Sequence, residues 1–377
     1  MLWEPNARSL ANTVARHDPA WRFAVSRTPR HLFVPQWWEQ AGDGWRLRTD
    51  EGSPRAHLAA VYRDSTLVTQ VDDHHADDAT EGDILTTGTP TSSSTLPSLI
   101  LSMYRHAAID DDSRILLTTG TGYGTALACS RLGSAQVTSI DIDARLVDVA
   151  TTRLATLGMK PRVLQCDITG PELPDQVDRI VSTVSVPSIP ASWLQALSPQ
   201  GRLVTTIAGT GLILTADKTP DGGAHGCIEW DRAGFMRARH GTGYDQLPDG
   251  LWKDAENGDG DRQLVSRYPL LYPPDAWDVM SMMELQSPGI EYRRTETDGV
   301  RTVWLLHPDG SWARASTDGF LNSPTVQEAG PQQLWSRLER IRDRLNREGA
   351  LPLYGATVQI TPDGATTLSR GNWKHTL

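Results

Sequence analysis

Three glycines at alternate positions, Gly120, Gly122 and Gly124, stand between the apolar run Ile115-Leu116-Leu117 and a stretch with helical spacing. A turn without side chains lets backbone N–H groups approach a ligand, and the start of the helix behind it favours negative charge. By itself the pattern is equally an ordinary tight turn. About twenty residues later a second apolar run ends in Ile140-Asp141, where a carboxylate can accept hydrogen bonds from both hydroxyls of a ribose. Together these features point to a ligand containing adenosine. A purely structural Asp141 would cap the next helix, a task for which Asp143 is better placed. Cys166-Asp167 follows a third apolar run and is placed to hydrogen-bond an adenine amino group, with a plain turn as the alternative. Upstream, Ser92, Ser93, Ser94 and Thr95 form a row of hydroxyls before Pro97, and on its own this row reads as a polar loop capping the helix that the proline opens.

The elements that must position these residues follow from periodicity. Strands are predicted at 115–117, 137–140, 162–164, 179–184 and 202–207, and helices at 97–106, 126–132, 144–157 and 192–197. The helix at 144–157 places Leu146, Ala150, Leu154 and Leu157 on one face and ends at Gly158. Such alternation specifies an α/β fold, a doubly wound Rossmann-like sheet with its ligand at the carboxyl ends of the strands. Before it, residues 10–38 read as short helices and turns, with an extended apolar tripeptide between Pro29 and Pro35. Residues 70–89 read as a polar, mobile insertion; His74 and His75 stand among aspartates there, but the stretch is better read as a solvated loop than as a cation site.

After about residue 210 the character changes. Residues 218–260 are rich in Gly and Asp and suggest short strands joined by turns. Val303-Trp304-Leu305-Leu306 and Ser311-Trp312-Ala313 flank a Pro-Asp-Gly turn and predict a hairpin. A helix from near Pro331 carries Leu334, Trp335, Leu338, Ile341 and Leu345, and residues 358–360 add a strand. The expected organisation is therefore a sheet domain at 1–210, including the insertion at 70–89, and a C-terminal α+β accessory domain at 211–377.

A length of 377 residues accommodates two domains. The net charge of -10 argues against nucleic acid and anionic membranes, which both need clustered Lys and Arg. Neither a signal-peptide pattern in residues 1–10 nor a membrane-spanning apolar run is found, so a cytoplasmic location is expected. Cys129, Cys166 and Cys227 are too few and too far apart for a disulfide framework or a zinc site, and read as reduced thiols in a core or pocket wall.

From about residue 16 to 208 the chain resembles the protein-L-isoaspartate O-methyltransferase family. The resemblance rests on Pro-Arg-His-Leu-Phe-Val-Pro at 29–35, Tyr62-Arg-Asp64, Ser94-Thr95-Leu96-Pro97, the glycine turn, Asp141, Asp167, the run from Val177 to Pro190, and Leu-Ser-Pro-Gln-Gly-Arg-Leu-Val at 197–204. It implies a methyltransferase using S-adenosyl-L-methionine. Thr95 and Ser94 would meet the reacting carboxylate, with Ser93, Pro97, Val186 and His31 around the substrate, and a structural role as the alternative for His31. Thr118, Gly120, Thr121, Gly122, Gly124, Asp141, Ile142, Asp167 and Ile168 would hold the cofactor, and no metal is expected. Two departures stand out: the family usually has an acidic residue two positions before the first glycine, where this chain has Thr118, and ordinary members lack both the insertion and the C-terminal extension.

Val-Thr-Gln at 68–70, Thr-Ser-Ser-Ser at 91–94 and Gly-Pro-Gln-Gln-Leu-Trp at 330–335 resemble the larger homologues that accompany ATP-grasp enzymes in maturing ribosomally made peptides (RiPPs), the graspetides. That resemblance implies methylation of an ordinary Asp of a modified precursor peptide, the ester then closing to an aspartimide. A carboxylate is already ionised at neutral pH, so such a transfer needs positioning rather than a strong base. Three rivals remain: an isoaspartate repair enzyme with an extra domain, a nicotinamide dehydrogenase using the same glycine turn, and a non-catalytic peptide-binding module. The C-terminal region is expected to recognise substrate or to mediate self-association as a homodimer.

Overall fold

The computed structural model describes residues 3–50, 53–174, 176–239, 247–319 and 321–377. At its centre five parallel strands lie in the order Leu197–Ile207, Val177–Val186, Ile115–Thr118, Val137–Asp141 and Arg162–Gln165. Their apolar runs are continuous because both faces are covered. Leu116, Ile180 and Leu203 point into one core with Trp193 and the C-terminal helices, while Ile115, Leu117, Val181 and Val204 point into another with the N-terminal helices and Tyr123–Leu132. The period of two along each strand thus serves two cores at once. This is the expected doubly wound α/β sheet.

The sheet does not stop at residue 207. Leu212–Lys218, Ala224–Arg232, Thr357–Ile360, Thr366–Arg370 and Trp373–Thr376 continue it as antiparallel neighbours to a total of ten strands. The expected division after residue 210 therefore falls between two hydrogen-bonded strands. A separate five-stranded antiparallel sheet holds Arg262–Val265, Glu291–Thr297, Val300–Leu306, Trp312–Thr317 and Thr325–Ala329, including the predicted hairpin. The predicted C-terminal helix spans Leu334–Glu348. Of the stretch at 218–260, residues 240–246 lie outside the described residues; its flanks form the strand Ala224–Arg232 and the helix Leu251–Asn257. Residues 1 and 2 of the N-terminal reading also lie outside them, and Glu4–Val14 is helical.

Two expectations are corrected. The tripeptide between Pro29 and Pro35 is not extended: Arg30–Phe33 is one turn of helix, with Pro29 at its N-cap, where a missing N–H costs nothing. Nor is 70–89 a loose loop. Leu67–Val71, His74–His75, Ile84–Leu85 and Pro90–Ser94 join Trp37–Ala41 and Gly44–Arg48 in a six-stranded sheet. Backbone ladders hold this segment together despite its polarity. Asp77 also anchors it, accepting a 2.6 Å hydrogen bond from Arg153, which donates another to the Phe33 carbonyl at 3.0 Å. The buried His75 ring accepts from the Asp77 amide at 3.1 Å, and no group of three or more metal-ligating residues occurs among the described residues.

Candidate active site

A pocket opens at the carboxyl ends of the parallel strands, where helix starts and strand ends leave backbone groups unpaired. Its floor is the glycine turn. Gly120, at φ +52°, donates its amide to Asp141 Oδ2 at 2.9 Å, and the Asp143 amide donates to Oδ1 at 3.1 Å. Burial pushes the Asp141 carboxyl up to about 6, against the pull of those two amides. Asp143 caps the helix Ala144–Thr156, which leaves Asp141 available to the pocket. Ile140, Ile142, Leu146 and Ile168 make the apolar wall beside it. Asp167 lines the pocket and is also a turn residue, since its Oδ1 accepts from the Thr169 amide at 2.8 Å and hydroxyl at 2.7 Å.

A second part of the lining is a row of hydroxyls beside the glycine turn, where a Cβ on Gly120 would lie 3.6 Å from the Ser93 carbonyl. Thr91, Ser92, Ser93 and Thr95 line the pocket, on and just after the strand Pro90–Ser94. Ser94 does not line it: its hydroxyl and carbonyl accept from the fully buried Arg30, each at 3.4 Å. Arg30 also donates to the carbonyls of Val61, Arg63, Ser65 and Thr95, so one guanidinium ties the hydroxyl strand to the turn after residue 61. This gives Arg30, rather than His31, the organising role within the Pro-Arg-His motif.

The expected residues thus divide. Ser93, Thr95, Thr118, Gly120, Asp141, Ile142, Asp167 and Ile168 share the pocket. Ser94, Pro97, Val186, His31, Thr121, Gly122 and Gly124 stand outside its lining for identifiable reasons. Pro97 opens the helix Pro97–His106, and Val186 lies in the core. His31 pairs with the Tyr62 hydroxyl at 2.8 Å and packs on Trp3. Burial of the His31 ring pushes its pKa down, which favours the neutral form. The Thr121 hydroxyl accepts from the Tyr123 amide at 3.4 Å. Gly122 and Gly124 allow close packing, because a Cβ would come within 3.0 Å of Ala150 Cβ and of the Tyr104 hydroxyl respectively. Thr118 stands where an acid was expected; its hydroxyl lies 2.7 Å from the Thr183 hydroxyl and accepts from the Thr183 amide, joining the ends of two strands.

One wall was not anticipated. Gly234 to Arg239 cross the pocket as a strap. Ser185 donates its amide to Met236 and accepts from the Ala238 amide, both at 2.8 Å, forming a parallel bridge to Arg237. The alternation in Phe235-Met-Arg-Ala-Arg239 was the only local sign of this, as its partner lies fifty residues away. Of the cysteines, all free, Cys166 lines the pocket, and burial pushes its thiol up, away from the thiolate.

Residues 116–204 match a family described as a methyltransferase domain. A protein-L-isoaspartate O-methyltransferase of Thermotoga maritima is 26% identical over 154 residues, 40% of this chain and 44% of the relative. The chain thus spans less than half the length of that curated relative. A solved protein-L-isoaspartate O-methyltransferase superposes over 98% of this chain and 99% of its own with a TM-score of 0.50 at 16% identity, a likeness of fold. Another structure, a putative member from Plasmodium falciparum in complex with S-adenosyl-L-homocysteine, covers 62% of this chain and 98% of its own at 14% identity and a TM-score of 0.42.

Proposed function

We propose that this chain is an S-adenosyl-L-methionine-dependent O-methyltransferase that modifies a side-chain carboxyl of a peptide or protein. The observation that carries the reading is one pocket within a matched methyltransferase domain, lined by Asp141, Asp167, Ser93 and Thr95, with no His, Lys or Glu among the described lining residues and with both aspartates already engaged by backbone amides. Acceptors that must lose a proton call for a base in reach; a carboxylate does not.

The residues fit the cofactor. Asp141 takes only backbone amides at a site where burial disfavours its charge, so two ribose hydroxyls are the donors it lacks. Ile142 and Ile168 bracket an adenine, with Asp167 at its edge, and the bound cofactor supplies an electrophilic methyl group on a sulfonium. Ser93 and Thr95 hold the acceptor carboxylate by hydroxyl donation, which orients an oxygen without neutralising it. Arg30 fixes the strand that carries them, and Ser94 serves as its anchor rather than as a catalytic group. The strap and the apolar wall exclude water from the transfer. Catalysis on this reading is alignment of two reactants.

For the acceptor we infer an aspartate of an ATP-grasp-modified ribosomal peptide, whose methyl ester closes to an aspartimide. The support is the set of short motifs at 68–70, 91–94 and 330–335. Isoaspartate repair is the second reading, favoured by the relative from Thermotoga maritima. Intact mass after incubation with S-adenosyl-L-methionine separates them. One added methyl, or one lost water, on a crosslinked precursor alone supports maturation. A methyl on a plain isoaspartyl peptide supports repair, and no change on either overturns the catalytic reading.

A further inference from the structure

We propose that Arg239 is the carboxylate-binding residue of this pocket, delivered by the strap from the C-terminal half of the chain, and that its ligand is the carboxylate of either the donor's aminoacyl end or the acceptor. The proposal rests on the methyltransferase reading above and adds a residue to it.

The argument begins with charge. A transfer between an amino-acid-bearing donor and an anionic acceptor brings carboxylates into a chain of net charge -10. The pocket's own ionisable side chains at Asp141 and Asp167 repel them, and its hydroxyls are neutral. Arg237 and Arg239 are the only Lys or Arg side chains among the described lining residues. Arg237 is already committed: its Nη2 donates to Glu284 Oε1 at 2.7 Å, and that buried carboxylate also accepts from the Gly289 amide at 2.8 Å. Arg239, half-buried, makes no ion pair among the described residues. It lines the same pocket as Asp141.

Position supports this assignment. The bridge of Arg237 to Ser185 sets the strap at the end of the strand Val177–Val186, next to Thr183 and Thr118. Thr118 offers an ammonium group only a hydroxyl, already paired to Thr183. At this end of the pocket Thr118 and Thr183 offer only paired hydroxyls, so the positive charge that an acid group can meet here comes from the strap. A guanidinium matches a carboxylate with two parallel N–H donors, and partial burial strengthens the pair.

The test is calorimetric binding to the full chain and to its Arg239→Gln and Arg239→Lys variants, at about pH 8, where Asp141 is ionised. One arm compares S-adenosyl-L-homocysteine with methylthioadenosine, which keeps the adenosine and thioether but lacks the aminoacyl end. The other compares an isoaspartyl peptide with its amide, on protein loaded with S-adenosyl-L-homocysteine. Arg239→Gln is expected to weaken the carboxylate ligand of one arm by about 10- to 100-fold, leaving its carboxylate-free counterpart within about twofold. Arg239→Lys should recover part of the loss. Loss in the first arm assigns the donor's carboxylate and loss in the second the acceptor's. Equal loss for both members of a pair, or no loss in either arm, overturns the proposal. Failure of the unaltered protein to bind either adenosine ligand overturns the methyltransferase reading itself.

Discussion

The Gly120 amide donates to Asp141 Oδ2 at 2.9 Å, bridging the turn after one strand and the end of its neighbour. The bond holds the carboxylate in a fixed orientation at the pocket wall, and the ribose-binding role we propose for Asp141 makes this geometry ready before a ligand arrives. Asp141→Asn keeps the shape but puts a donor beside the Gly120 N–H and removes the charge that strengthens bonds from hydroxyls. S-adenosyl-L-homocysteine should then bind at least about 10-fold more weakly by calorimetry. Affinity within twofold of the unaltered protein would refute this role for Asp141.

The same residue sets a pH dependence. Burial raises the Asp141 carboxyl from 3.8 to about 6, so the folded protein holds its proton more tightly than the unfolded chain. This group therefore adds stability as pH falls from about 6 towards 3.8, on the order of 3 kcal/mol in full, and adds none above that window. On the proposed role of Asp141, ligand binding runs the other way, because ribose hydroxyls donate to the ionised form. Affinity for S-adenosyl-L-homocysteine should be flat at neutral pH, fall below about 6, and lose that dependence in Asp141→Asn. A pH profile identical in both proteins counts against the assignment.

Gly122 separates packing from binding. Its φ is +85°, and an added Cβ would lie 3.0 Å from Ala150 Cβ and 3.4 Å from its Cα, against the helix that follows Asp141. Left-handed backbone costs an alanine about 1 kcal/mol, and relieving the contact adds a similar amount. Gly122→Ala should lower unfolding free energy by about 2 kcal/mol in urea while affinity for S-adenosyl-L-homocysteine at low temperature changes little. A selective loss of affinity without loss of stability would put Gly122 in the binding site.

The parallel sheet was legible because its signals are local: apolar runs, a glycine turn and an aspartate at a strand end. Asp141, Asp167 and Gly120 sit at such ends, so counting residues brings them to the pocket lining. What was missed depends on distant pairing. Cys227 pairs with Thr357, and Ser185 with Arg237, and no periodicity announces a partner so far away. Residues 70–89 look like loop because their strands are two to five residues long and their polar groups are satisfied by ladder bonds and by Arg153. Gly122 and Gly124, expected to hold the cofactor, lie outside the pocket lining and close to neighbouring helices, and in sequence a glycine that admits a helix looks the same as one that admits a phosphate or sugar.

Arg30 offers the sharpest separation of the acceptor wall from the donor wall. It is wholly buried, and its guanidinium donates to Val61 and Arg63 through Nη1 and to Ser65 through Nη2, at 2.8 to 3.0 Å, with longer contacts to Ser94 and Thr95. Its charge also sits 5.5 Å from the centre of the Tyr123 ring. Lysine in its place has neither the planar fork nor enough donors to reach these carbonyls, and methionine would remove the donor from all of them, buried at Val61 and Ser94 and part-buried at the others. Each orphaned carbonyl costs about 1 kcal/mol or more, so Arg30→Lys should lose about 2 to 4 kcal/mol in urea, and Arg30→Met at least as much. Where the fold survives, the segment bearing Ser93 and Thr95 is no longer tied to the turn after residue 61, so the KM for the acceptor should rise while affinity for S-adenosyl-L-homocysteine, which we assign to Asp141, stays close to that of the unaltered protein. Loss of cofactor affinity with the acceptor KM intact would reverse the assignment of the two walls.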